Sequence, residues 1–115
     1  MKYLRDYLLD MLEYLDSVAA FTSDGRAAFM SDRKTQFAVI HAYEVIGEIA
    51  KRLPPEAREA NPQINWQKLI TFRDFLAHNY DRVVLDNIWA AVEDLPNLRS
   101  AIESLLSDLP QEPSE

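Results

Sequence analysis

The chain has 115 residues, 48% of them hydrophobic, and it contains two glycines, six prolines and no cysteine. This length suits a single domain with one modest core, and the absence of cysteine excludes disulfides and thiolate metal sites. The net charge of −7, from 12 basic and 19 acidic residues, argues against broad, sequence-independent binding of nucleic acid. No apolar run reaches the ~18 residues of a membrane span, and the charged N-terminus does not look like a signal peptide. We therefore expect a cytoplasmic protein without a membrane segment.

Apolar residues follow helical spacing from the start of the chain, and a turn at "TSDGR" ends the first predicted helix. A second long helix is predicted to begin near "SDRK", where Ser31 or Asp32 caps free N–H groups, and to stop at Pro54-Pro55. Apolar positions between residues 39 and 53 cover more than half of its helical wheel. This helix is therefore central to a bundle, or it faces both its own core and a second subunit.

The second half of the chain predicts further helices. A connection with one helical turn precedes a helix from Trp66 to Ala77, for which Asn65 is the expected cap. The run "LDNIWAAVEDLPNLRSAIESLLSDL" is interpreted as two helical pieces, with Asp94 capping the second and Pro96 in its first turn. The tail, residues 110–115, is acidic and expected to be disordered. The predicted fold class is all-α, a bundle of four to five helices over residues 1–109.

The segment "RDFLAHNYDR" gathers side chains that transfer protons or hold phosphate groups. Asp74 and His78 are four positions apart, so a helix places them on one face, where the carboxylate orients the imidazole. Histidine acts as a general acid or base near neutral pH, and arginine stabilises a phosphate whose negative charge grows in the transition state. Arg73 and His78 therefore suit metal-free cleavage of RNA by its own 2′-hydroxyl. The same residues also suit a structural role at a helix end, and spacing alone favours that role.

The angular positions of the two residues limit the catalytic interpretation. Arg73 and His78 are five positions apart, about 140° around an ideal helix. They meet only if the helix ends near Ala77 or His78, or if a second subunit brings its own copy alongside.

Among the acidic residues, Glu44 is a possible partner for Arg73. Glu48 is four positions before Arg52, a spacing typical of an ion pair on a solvated helix face. Both glutamates lie on the second predicted helix, one turn apart.

The remaining polar candidates have weaker patterns. His41 lies on the polar face of the second predicted helix and is interpreted as a surface residue or a satisfied polar residue. The doublet Arg33-Lys34 could face RNA or a partner. Two histidines and no cysteine offer few ligands for a transition metal, so no metal site and no cofactor are expected.

Three long stretches resemble one family: "SDRKTQFAVIHAYEVIGEIAKRLPPE", "INWQKLITFRDFLAHNYDRV" and "IWAAVEDLPNLRSAIESLL". Together they make the chain similar, from about residue 2 to residue 109, to HepT-like proteins. These are HEPN-domain toxins encoded beside minimal nucleotidyltransferase antitoxins. The family motif is arginine, a polar residue, three to five further residues, histidine, any residue and tyrosine. Here Arg73, Asp74, His78 and Tyr80 occupy the named positions without departure.

The resemblance implies the HEPN fold, dimerising through long helices so that two motif copies line one cleft. It also implies a metal-independent endoribonuclease of a type VII toxin–antitoxin system, with tRNA or mRNA as candidate substrates. By this resemblance Arg73 and His78 would be catalytic, Asp74 supporting, and Tyr80 the residue that the nucleotidyltransferase antitoxin adenylylates. Glu44 is added as a supporting residue from its place on the second predicted helix. The alternative is a non-catalytic HEPN module that binds nucleotide or the nucleotidyltransferase.

Overall fold

The computed structural model describes residues 3–79, 81 and 83–110. Six helices lie within these ranges: α1 (Leu4–Phe21), α2 (Arg26–Ser31), α3 (Arg33–Arg52), α4 (Pro55–Glu59), α5 (Trp66–His78) and α6 (Leu85–Asp108). The predicted all-α fold class is confirmed, and four long helices build the bundle while α2 and α4 are short. No helix in the described ranges is both long and apolar enough to cross a bilayer. The predicted disorder of the tail concerns residues that, apart from Pro110, lie outside those ranges.

Helix α3 lies at the centre of the bundle, where it packs against α1, α2 and α5, while α6 packs against α1. Its buried positions are Val39, Ala42, Tyr43, Ile46, Gly47, Ile49 and Ala50. Neighbouring helices therefore cover most of the wide apolar arc of the sequence. This is the arrangement expected of a helix at the centre of a bundle.

The ends of α3 and α5 follow the capping residues of the sequence. The Asp32 carboxylate accepts from the Lys34 N–H at 3.1 Å and from the Thr35 hydroxyl at 2.7 Å. The hydrogen bond from Thr35 is the main reason that the pKa of Asp32 lies below its usual value. The Asn65 side chain caps α5 by accepting from the Lys68 N–H at 3.0 Å. These predicted helix starts are confirmed.

Helix α2 was not predicted, because the sequence indicated only a turn before α3. Gly25 precedes α2 with a φ of 92°, a backbone conformation that favours glycine. Phe29 of α2 is 1% exposed, and its ring centroid lies 5.5 Å from that of Trp89 on α6. A six-residue helix shows too few positions for a periodic pattern, so it depends on this aromatic contact between elements.

The prediction that residues 85–109 form two helical pieces is wrong, because α6 continues through Pro96. Proline lacks the N–H group that would donate to the carbonyl four positions earlier, and it normally ends or kinks a helix. Asp94, the predicted cap, accepts instead from the Asn97 side chain at 3.0 Å. One buried stripe runs along the helix on both sides of the proline: Ile88, Leu95, Ile102 and Leu105. Burial of this stripe favours a continuous helix over a break.

Candidate active site

The backbone of Arg73 lies at a close contact between α5 and α3. A Cβ atom added at Gly47 would lie 2.1 Å from the Arg73 Cβ and 2.7 Å from the Leu69 carbonyl oxygen. Both distances are far below van der Waals contact, so only glycine allows the two helices to approach this closely. The backbone of α3 therefore sets the position from which the Arg73 side chain extends.

The Arg73 guanidinium is held between two carboxylates. Its Nη1 donates to Asp74 Oδ1 at 3.0 Å, and its Nη2 lies 3.4 Å from Glu48 Oε1. The other oxygen of Glu48 accepts from Arg52 Nε at 3.3 Å. Glu48 thus bridges two guanidinium groups, while the Arg73 side chain remains 26% exposed and accessible to a ligand.

Glu48 is therefore the α3 carboxylate that pairs with Arg73. The sequence indicated only its pair with Arg52. That pair also forms, so Glu48 takes part in both. Glu44, the partner considered for Arg73, lines the cavity beside it without an ion pair to it. The four-residue spacing to Arg52 assigned Glu48 to that pair alone, but a linear pattern does not show which glutamate also reaches Arg73, because this depends on how α5 lies across α3.

A surface cavity of about 380 Å³ opens beside Arg73. Its floor is a stripe of α3 at steps of three and four residues: His41, Glu44, Glu48 and Arg52. Val45 and Ile49 add apolar surface, and Tyr7 contributes from α1. The cavity therefore combines two carboxylates, two guanidinium groups and an imidazole. His41, interpreted from the sequence as a surface or satisfied polar residue, is exposed and belongs to this set.

His78 is the last residue of α5, and its side chain is exposed. Its Nδ1 lies 2.8 Å from the main-chain carbonyl oxygen of Asp74. A carbonyl oxygen only accepts hydrogen bonds, so this contact requires a proton on Nδ1 and leaves Nε2 as the basic nitrogen of the neutral ring. The sequence led us to expect the Asp74 carboxylate as the orienting group, but the ring contacts its backbone.

Within one chain, the two motif residues do not line the same cavity. Helix α5 ends at His78, one of the two conditions under which they could meet. Arg73 nevertheless lines the cavity, and His78 is not among the lining residues. Tyr80 lies outside the described residues.

Tyr43 is a further ionisable group on α3, and it is unsuited to proton transfer. Its ring packs against Phe72, with centroids 5.6 Å apart, and 3% of the residue is exposed. Burial, with a smaller contribution from the charge of Asp94, raises the pKa of Tyr43 above its usual value. The hydroxyl therefore stays protonated at physiological pH.

The basic doublet lies on the exposed start of α3. The Arg33 guanidinium carbon lies 5.1 Å from the ring centroid of Phe37, whose exposed fraction is 58%. A cation over an exposed aromatic ring makes a surface that suits either an RNA base or a protein partner. In the part of the chain that the structure describes, no three His, Cys, Asp or Glu side chains group as metal ligands.

Comparisons with known proteins identify the family of the chain. Residues 11–105 match the family described as ribonuclease HepT-like. A Thermococcus cleftensis protein named as a probable ribonuclease HepT is 39% identical over 103 residues, 88% of this chain and 94% of that protein. A Methanocaldococcus jannaschii protein named as a candidate RNase is 36% identical over 110 residues, 94% of this chain and 91% of that protein. No solved structure gives a significant match. The match spans most of the chain, contains the arginine–histidine motif and confirms the resemblance: this chain belongs to the HepT-like ribonuclease family.

Proposed function

We propose that the protein is a metal-independent endoribonuclease in which Arg73 and His78 promote attack of an RNA 2′-hydroxyl on the adjacent phosphate. Membership of the HepT-like family supports the reaction class. The observation that carries the role of His78 is its Nδ1 contact with the Asp74 carbonyl, because that contact leaves Nε2 free to accept a proton. The 2′-oxygen then bonds to phosphorus and the bond from phosphorus to the 5′-oxygen breaks. The products are a 2′,3′-cyclic phosphate and a 5′-hydroxyl end.

Arg73 is proposed to hold the phosphate. A guanidinium has five N–H donors, and the contacts with Glu48 and Asp74 leave donors for phosphate oxygens. Asp74 supports both catalytic residues, because its carboxylate binds Arg73 and its carbonyl contacts His78. The substrate class is RNA, with tRNA and mRNA as candidates.

A homodimer is proposed to complete the site. Within one chain Arg73 lines the cavity and His78 does not, so a second copy that places its His78 against this cavity would reunite the pair. Exposed apolar side chains on three of the long helices, Leu9, Phe37 and Phe75, offer contact surface for such a dimer.

Control by a nucleotidyltransferase antitoxin is proposed at Tyr80, in a cytoplasmic toxin–antitoxin pair of type VII. Tyr80 follows His78 by two positions, so an AMP group there would add negative charge and bulk close to the site where RNA phosphate reacts. Mixing the protein with the nucleotidyltransferase and ATP should add AMP mass and stop cleavage, whereas Tyr80→Phe should show neither effect. A mass gain that persists in Tyr80→Phe would assign the modification to another residue.

The ribonuclease proposal is tested by incubating the purified protein with tRNA and mRNA in EDTA. Wild type should release fragments that end in a 2′,3′-cyclic phosphate. His78→Ala and Arg73→Ala should each lower the rate by at least about 100-fold, because each removes a group that acts in the transition state. Lys68→Ala is the matched control, since it removes an exposed cation from the same helix outside the cavity.

The alternative of a binding module gives a different result. In that case wild type and His78→Ala bind RNA or nucleotide equally well, and neither protein cleaves RNA.

A further inference from the structure

The second histidine of the chain shares a cavity with Arg73. His41 is exposed on α3, and it lines the same space of about 380 Å³ as Arg73, Glu44 and Glu48. The chain contains two histidines in all, and His41 is the one that lines this cavity. A phosphate held by Arg73 would therefore lie in a cavity that already presents an imidazole.

The proposed reaction needs two proton transfers. One removes the proton of the 2′-hydroxyl, and the Nε2 atom of His78 is suited to accept it. The other gives a proton to the departing 5′-oxygen, which would otherwise leave as an unstable alkoxide. A histidine whose Nδ1 is engaged by a carbonyl presents one nitrogen to the substrate, so a second group is needed for simultaneous transfer at the two oxygens.

Other side chains of the cavity are poor candidates for the second transfer. Arginine keeps its proton at all physiological pH values, which excludes Arg52 and Arg73. Glu48 is engaged in ion pairs with two guanidinium groups. Tyrosine is a weak acid near neutral pH, which argues against Tyr7 of α1. The candidates that remain are His41 and Glu44. An imidazole exchanges protons in the physiological range, whereas carboxyl groups in water have generally lost theirs near neutral pH, which favours His41 as the acid.

We propose that His41 is the second proton-transfer group of the ribonuclease site, and that its imidazolium protonates the departing 5′-oxygen while Arg73 holds the phosphate. The proton passes from His41 to the 5′-oxygen as the bond to phosphorus breaks, and the proton of the 2′-hydroxyl passes to His78. The total charge is conserved. This assignment rests on the proposed ribonuclease function and adds the leaving-group acid to it.

Charged and titratable neighbours come from three helices. Glu44, Glu48 and Arg52 lie on α3 with His41, while Arg73 comes from α5 and Tyr7 from α1. Protonated His41 is the active form in this step. Loss of its proton therefore lowers the rate, and we expect the cleavage rate of the wild-type protein to fall at alkaline pH.

The test compares two leaving groups in wild type and His41→Gln. On RNA, whose 5′-oxygen would leave as an alkoxide without an acid, the variant should lose about 100-fold in kcat with little change in KM. Its rate should also no longer fall at alkaline pH. On a ribonucleoside 3′-(4-nitrophenyl phosphate), whose leaving group needs no proton, the two proteins should differ by less than about threefold, because the acid is then dispensable. Circular dichroism checks that the variant folds, as expected for an exposed side chain.

Three other results would overturn the assignment. Equal cleavage of RNA by the two proteins would remove His41 from the reaction. An equal loss on both substrates would make His41 a residue that positions substrate or structure and would leave the ribonuclease proposal intact. A wild-type protein that cleaves neither substrate would refute the ribonuclease function itself, and the role of His41 with it.

Discussion

At the scale of single residues, the most informative side chain is Glu48. It is partly exposed, and ion pairs in such positions contribute little to the free energy of folding. Its importance is geometric, because one carboxylate holds the guanidinium groups of Arg73 and Arg52 on the same side of α3. Glu48 and Arg73 form an ion pair at 3.4 Å, so the contribution of Glu48 to the orientation of Arg73 depends on its charge.

Replacing Glu48 by glutamine should lower kcat for RNA cleavage by roughly tenfold, a typical effect of removing a residue that orients a functional side chain. The amide keeps the shape of the side chain but loses the charge that orients Arg73. Steady-state kinetics of Glu48→Gln and Glu44→Gln test this point, because Glu44 lines the same cavity without pairing with Arg73. A larger effect at Glu44 would show that the observed ion pair is not the one that matters for catalysis.

At the scale of helices, the contact between α3 and α5 determines where the arginine lies. Gly47 occupies the contact, and α5 runs from the Asn65 cap to His78. Glycine inside a helix costs stability relative to alanine by roughly 0.5–1 kcal/mol. The chain accepts this cost at Gly47 because the absence of a Cβ allows α5 to lie directly against α3.

Gly47→Ala should therefore destabilise the protein, although the same change in an exposed helix stabilises it. The new Cβ would meet the Arg73 Cβ at 2.1 Å and a backbone carbonyl at 2.7 Å, so the helices must separate. Overpacking of this kind costs about 1–3 kcal/mol, which urea denaturation would measure as a lower midpoint. Displacement of Arg73 should also reduce RNA cleavage. A variant that is more stable than wild type would show that the helices separate at no cost.

At the scale of the whole molecule, an acidic protein is proposed to bind an acidic substrate. The net charge is −7, yet the candidate cavity contains Arg52 and Arg73. Local cations in a cavity attract phosphates at short range, while the rest of the surface repels the RNA backbone. RNA recognition should therefore depend on a few contacts instead of a broad basic surface.

This distribution of charge predicts a weak dependence on salt. With about two phosphate contacts per site, the logarithm of 1/KM should fall against the logarithm of KCl concentration with a slope no steeper than about −1.4. Kinetics between low and physiological salt would measure the slope, with a single-stranded RNA as substrate. A slope several times steeper would mean that RNA contacts many more cations than the cavity holds.

Much of the fold could be predicted from the chain itself. Helix α5 begins at Trp66 after its Asn65 cap, and α3 ends at Arg52 before two prolines. These boundaries depend on local chemistry, namely side chains that cap N–H groups and residues that lack one. The errors arose where distant packing prevailed over local preference: the short α2 is held by Phe29 against Trp89, and α6 continues through Pro96 along one buried stripe.

The same distinction between local sequence and distant packing applies to the candidate site. The sequence by itself determined which residues are the candidates for the chemistry, because Arg73 and His78 stand five positions apart in one motif, within the part of the chain that matches the HepT-like family. Only the tertiary structure decided that Glu48 pairs with Arg73, that His41 shares its cavity and that a backbone carbonyl contacts His78. The physical reason is that a motif spans one helix, whereas the contacts of Arg73 with Glu48 and with the cavity depend on how α5 packs across α3.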